Sequence, residues 1–183
     1  MKLRKHIVGA VLAMCCALGP GAGAVAHAAD LPPLSHSLNL QTPKPAPALK
    51  FKDIDGKTLD LAQLKGKVVL INFWATWCPP CRREMPSMER LSQAFKGKPF
   101  VVLAVNVGED ADTIEAFTSQ LDAVPTFPIL LDTRSQGMRT WKVAGLPTTF
   151  LVDQQGRIVA SAIGGREFDH PEMVQAIRGL INK

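Results

Sequence analysis

Lys67 to Trp74 is an almost unbroken apolar run, and three residues later it leads into Trp77-Cys78-Pro79-Pro80-Cys81. A run of this kind suits a central parallel strand covered on both faces. Beyond the cysteines the period changes to that of a helix, with Met85, Met88, Leu91 and Phe95 on one stripe. A buried helix face explains these methionines better than a soft-metal or peptide surface. A second apolar run, Phe100 to Val107, follows about one βαβ unit later. The chain is therefore constrained to an α/β sheet with Cys-x-x-Cys at a strand-to-helix junction.

The other segments complete a mixed sheet flanked by helices. Ala48 to Leu61 reads as a hairpin turning at Asp55-Gly56. Asp110 to Leu121 reads as a helix with Ile114, Phe117 and Leu121 on one face, Phe127 to Asp132 as a strand and Ser135 to Val143 as a short helix. Thr148 to Asp153 and Arg157 to Ile163 form a hairpin around Gln154-Gln155-Gly156. The last helix carries an Asp169-x-x-Glu172 capping box, with Met173, Val174, Ile177, Leu180 and Ile181 facing the core.

Lys2, Arg4 and Lys5, the apolar Ile7 to Leu18, and Ala26-His27-Ala28 supply the three parts of a secretory signal over residues 1–28. The apolar stretch is short and Gly19-Pro20-Gly21 interrupts it, so a retained membrane anchor is the weaker alternative. Residues 29–47, rich in Pro, Ser, Leu and Lys, read as a flexible lead, which places the domain at 48–183. Cleavage after Ala28 leaves 155 of the 183 residues, enough for one domain with a real core. It removes three of the 21 basic residues and no acidic one, so 18 cations face 16 anions. A net charge of +2 gives no reason to expect a nucleic-acid partner.

Cys15 and Cys16 leave with the signal, so Cys78 and Cys81 remain alone in an oxidising compartment. Two thiols are too few for a four-thiolate zinc site. A disulfide closing so small a loop removes little chain entropy, which argues against a purely structural bridge. The junction puts Cys78 at the carboxyl edge of the sheet, where open α/β sheets bind ligands. It also puts Cys78 at a helix N-terminus, where the macrodipole favours a thiolate. Cys81, three residues on, shares that helix face and can attack a mixed disulfide formed by Cys78. Cys78 is thus read as the nucleophile and Cys81 as the resolving thiol of a pair that cycles between dithiol and disulfide. No cofactor and no stable metal are expected.

The segment Phe73-Trp74-Ala75-Thr76-Trp77-Cys78-Pro79-Pro80-Cys81-Arg82-Arg83-Glu84-Met85-Pro86 resembles the exported thioredoxin-like thiol-disulfide oxidoreductases of the TlpA and ResA type, related to CcmG. Asp55-Gly56-Lys57 and Leu64 to Leu70 resemble that family's opening hairpin and first core strand, and Gly145-Leu146-Pro147-Thr148-Thr149-Phe150 its cis-proline loop. The resemblance runs from about Ala48 to the C-terminus. It implies a thioredoxin-like α/β fold, a central mixed β-sheet flanked by helices with an extra N-terminal β-hairpin. It also implies a periplasmic enzyme reducing disulfides of exported proteins, apo-cytochrome c being the family's best-known kind of substrate, with a membrane thiol-electron donor to recharge it. Pro147 is then cis, and the Leu146 backbone pairs with the substrate peptide; an ordinary trans proline at a strand start is the alternative. Trp77, next to the nucleophile, reads as apolar contact surface for a protein substrate, and Trp74 as packing.

Two departures from thioredoxin matter. Asn72 stands where thioredoxin has a buried Asp, so the proton acceptor for Cys81 must lie elsewhere. Glu84 matches a glutamate near the active site of ResA-like proteins; the alternative is an exposed helix residue pairing with Arg83 or Arg90, worth little. Pro79-Pro80 replaces Gly-Pro and deletes two N–H donors at the helix start, which implies a Cys78 thiolate stabilised only moderately and a more reducing couple. The same two thiols would also serve an oxidase or isomerase. A copper-delivery module on this fold usually has Cys-x-x-x-Cys with a histidine reaching it; here His36 lies in the lead and His170 at the last helix, neither obviously placed to ligate. A thiol peroxidase wants Thr and Pro where Ala75 and Ile71 stand, which excludes it.

Overall fold

The strand β4 (Val68–Trp74) is buried along its whole length, and its side chains alternate between two cores. Val68, Leu70 and Trp74 join Met85, Met88 and Leu91 of α1 (Pro79–Ala94) and Met173 and Ile177 of α4 (Pro171–Ile181). Ile114 and Phe117 of α2 (Ala111–Thr118) enter the same core, the Phe117 ring 5.7 Å from that of Trp74. Val69, Ile71 and Phe73 join the opposite core with Leu49, Leu61, Trp141 and Phe150. Phe150 belongs to β7 (Thr148–Val152), and Trp141 closes the short helix α3 (Gln136–Thr140).

The computed structural model describes residues 33–182. Among them, six strands make one mixed sheet: β1 (Asn39–Pro45), β8 (Arg157–Ile163), β7, β4, β5 (Phe100–Val107) and β6 (Ile129–Asp132), in that spatial order. β4, β5 and β6 run parallel, whereas β7 lies antiparallel to both β4 and β8. The hairpin of β2 (Lys50–Lys52) and β3 (Thr58–Asp60) stands outside this sheet, and Gly56 takes a φ of +80° at its turn. This is the thioredoxin-like α/β fold that the resemblance implies, with the extra N-terminal hairpin in place.

The lead expected to be flexible over 29–47 is corrected by its described part. β1 pairs antiparallel with β8, Leu40 opposite Ala160 and Pro45 opposite Arg157, and the Ala46 N–H donates to Gly156 O at 3.0 Å. Further upstream, Ser35 bridges Arg166, and the Glu167 N–H donates to Ser35 O at 2.7 Å. The domain therefore begins well before residue 48. An edge strand bonds on one side only, so it tolerates Pro43 and Pro45 and needs no apolar period, which is why composition alone suggested a loop.

Asp169 does not cap α4. Pro171 takes the first helical position, which moves the cap to His170, whose Nδ1 accepts the Glu172 N–H at 3.4 Å. Asp169 instead meets Arg90 Nε at 2.5 Å. The expected signal over 1–28 lies outside the described residues. Among the described residues no helix is long and apolar enough to cross a membrane.

Candidate active site

β4 and β5 end at the same edge of the sheet, and antiparallel β7 begins there. Three segments converge on that edge: the cysteine segment after Trp74, Gly108-Glu109 after Val107, and Gly145 to Pro147 before Thr148. Cys78 is the N-cap of α1, Pro79 and Pro80 its first two residues, and Cys81 the third. The two sulfurs are bonded at 2.07 Å, with the Cα atoms 5.3 Å apart. Cys81 is fully buried, Cys78 is 3% exposed, and the adjoining Trp77 is 67% exposed. The Leu146–Pro147 peptide is cis, and Pro147 O accepts the Gly164 N–H at 2.8 Å. Trp74 is buried in the first core, as read from the sequence.

Glu84 is not the exposed helix residue that one sequence reading allowed. It has no solvent exposure, and its carboxylate accepts from Asn72 Nδ2 and from the Arg166 N–H, both at 2.8 Å. Burial pushes its pKa up from 4.5 to about 8, against the opposing pull of the Arg166 N–H, the Asn72 amide and the Arg166 charge. Arg90 is occupied with Asp169. Asn72 donates also to Thr149 Oγ1 at 3.1 Å, so a residue with two amide hydrogens links α1, β4 and β7.

Glu109 and Arg166 were not singled out in the sequence. Glu109 Oε2 accepts the Thr76 N–H at 2.8 Å and Asn106 Nδ2 at 2.7 Å, while Oε1 accepts the Thr76 hydroxyl at 2.5 Å. One carboxylate thus holds the backbone two residues before Cys78. A readable signal exists: Gly108, with φ +83°, follows a buried parallel strand and delivers the next side chain to the carboxyl edge. Arg166 donates from Nε to Ser37 O at 2.8 Å and from Nη1 to the Gly164 and Gly165 carbonyls at 3.0 Å each. A Cβ on Gly165 would lie 2.7 Å from Leu34 Cδ2 and 3.2 Å from Pro80 O. The lead, the Arg166 loop and the cysteine helix therefore pack directly together.

The two histidines expected to be unplaced for ligation are stacked, ring centroids 3.8 Å apart. With Glu172 they form the one group of three or more potential metal ligands among the described residues, and it contains neither cysteine. The copper-delivery reading thus finds no histidine in a ligand group with Cys78 or Cys81.

The Redoxin family model matches residues 41–177. The chain belongs to the Redoxin family. This Redoxin chain is 38% identical over 125 residues to a thiol-disulfide oxidoreductase ResA of Bacillus cereus, covering 68% of this chain and 71% of that protein. Among solved structures it resembles a thiol:disulfide interchange protein of the thioredoxin family from Chlorobium tepidum TLS, at TM-score 0.65 and 27% identity, over 77% of this chain and 98% of that one. It also resembles the pneumococcal exposed lipoprotein thioredoxin of Streptococcus pneumoniae, at TM-score 0.62 and 30% identity, over 73% and 99%. The Redoxin chain is thus a thiol-disulfide oxidoreductase. The family match begins inside β1, in keeping with a domain that includes the edge strand.

Proposed function

We propose that the protein is a periplasmic reductase of disulfides in exported proteins, apo-cytochrome c being a substrate of the right chemistry because its haem-attachment cysteines must be free thiols. In this reading residues 1–28 are an export signal and a membrane thiol-electron donor recharges the enzyme. Cys78 is the nucleophile, at the N-cap and beside the exposed Trp77. Its thiolate attacks one sulfur of the substrate disulfide; that S–S bond breaks, a mixed disulfide forms, and the leaving sulfur takes a proton. Cys81 then loses its proton and attacks Cys78 Sγ. The second substrate thiol departs and the Cys78–Cys81 disulfide forms, so substrate gains the two electrons that the enzyme loses. Glu84 lies one helical turn beyond Cys81, and with a pKa near 8, close to that of an ordinary thiol, its ionised fraction, which grows as pH rises towards 8, is the base matched to the Cys81 proton. Trp77 offers apolar contact to the substrate peptide, and the Leu146 backbone before cis-Pro147 pairs with it.

The observation that carries the direction is the pair of prolines at the first two positions of α1. Each removes an N–H that would otherwise stabilise a Cys78 thiolate, so the reduced form is less favoured and the couple more reducing. The test is the reduction potential of Cys78/Cys81 in graded thiol buffers. A value near about −270 mV supports the reductase, whereas one near about −120 mV makes the protein a donor of disulfides. Pro79→Gly restores a donor and is expected to lower the Cys78 pKa, read as thiolate absorbance. Each pKa unit lowered should raise the potential by about 30 mV, since both correspond to about 1.4 kcal/mol. An unchanged titration curve counts against this account.

A further inference from the structure

The geometry points to a divalent-metal site of the zinc class formed by His36, His170 and Glu172, on the lead and the start of α4 and outside the dithiol chemistry. One donor atom from each residue lies within 4.8 Å of the others. His36 Nε2 and Glu172 Oε2 are 3.4 Å apart. Two ligands of a tetrahedral zinc, each about 2.0–2.2 Å from the metal, are separated by about 3.3–3.5 Å. That edge is therefore already formed. Two imidazoles and a carboxylate are a donor set that suits zinc, with a fourth position left for water.

The backbone presents these ligands from both sides. His36 is flanked by Ser35, which accepts the Glu167 N–H at 2.7 Å, and by Ser37, whose carbonyl accepts Arg166 Nε at 2.8 Å. His170 follows Asp169, which Arg90 holds. A site whose ligands sit on fixed backbone loses less entropy on binding. Two adjustments accompany the metal. The rings, now 17° from parallel, splay so that both lone pairs aim at one point. The Nδ1 lone pair of His170 now accepts the Glu172 N–H. Zinc takes either that lone pair or, with the ring proton moved to Nδ1, the Nε2 one, and the 3.4 Å cap bond is released in both cases. A bond of that length is weak, so little is lost. Glu172 supplies the negative charge that offsets the positive end of α4.

The test is calorimetric titration of ZnCl2 into the full chain with Cys78–Cys81 oxidised and Cys15 and Cys16 blocked with iodoacetamide, so that no thiol competes. One equivalent of zinc is expected to bind. His36→Gln should weaken binding by about tenfold or more, since loss of even an outer partner of a metal ligand costs about 10–100-fold. His170→Asn keeps a good helix cap and should weaken it similarly. Co2+ in place of Zn2+ gives visible bands of tetrahedral intensity only if the set closes around the ion. Absence of zinc binding, or binding that survives both substitutions, overturns the assignment; His6 and His27 remain in every variant and would account for the latter result.

Discussion

A Cys81→Ser variant accumulates a covalent complex with its disulfide substrate, joined through Cys78, whereas Cys78→Ser forms none and has only background activity. The expectation follows from the two sulfurs' positions. Cys78 caps the helix and retains slight exposure next to Trp77, while Cys81 is sealed beneath it. A macromolecular disulfide can approach only the former. Once the mixed disulfide exists, Cys81 is the intramolecular thiol that releases it. Well-oriented intramolecular groups reach effective concentrations of about 10⁵ M, so millimolar external thiol replaces Cys81 with a loss of up to about 10⁸-fold in that step. The adduct should appear on non-reducing gels and by mass spectrometry, and Cys81→Ala should behave alike if the buried Ser hydroxyl is not the cause. Adducts trapped by Cys78→Ser would reverse the two roles.

How much of this was legible depends on what each residue buries. β4, β5 and the α1 stripe were readable because water exclusion imposes a pattern: β4 is apolar on both faces, and Met85, Met88 and Leu91 recur along one helix face. The edge strand β1 bonds on one side only and exposes most of its side chains, so the same rule is silent there. Glu84 is the instructive case. Its charge suits a surface position, yet it shares the helix face of Cys81, Met88 and Leu91, all buried. A carboxylate on an apolar stripe, opposite an asparagine inside an otherwise apolar strand, was a paired signal: Asn72 is buried to hold Glu84. No local pattern announced the contact of His36 with His170, because the chain returns to that place only after the whole sheet has formed.

The buried carboxylate also sets how stability changes with pH. Glu84 has a folded pKa of about 8 against an ordinary 4.5, so between these values the folded protein holds a proton that the unfolded chain has released. Stability therefore falls as pH rises through that window, and it is full below it. The whole fall amounts to up to about 5 kcal/mol, at about 1.36 kcal/mol per pKa unit. Glu84→Gln removes the titration but not the volume. Its carbonyl can still accept from Asn72, while its amide faces the Arg166 N–H donor to donor, a loss of about 1–3 kcal/mol at every pH. The two effects oppose each other, so the stability curves of the oxidised proteins should cross. The variant is expected to be less stable than the parent near about pH 5 and more stable near about pH 9, measured by urea unfolding at each pH. Keeping the disulfide intact removes the cysteines from the titration. Parallel curves would mean that Glu84 is ionised in the folded protein throughout. In that case burial has been outweighed by the Arg166 and Asn72 bonds, and the carboxylate is too weak a base to hold the Cys81 proton near neutral pH.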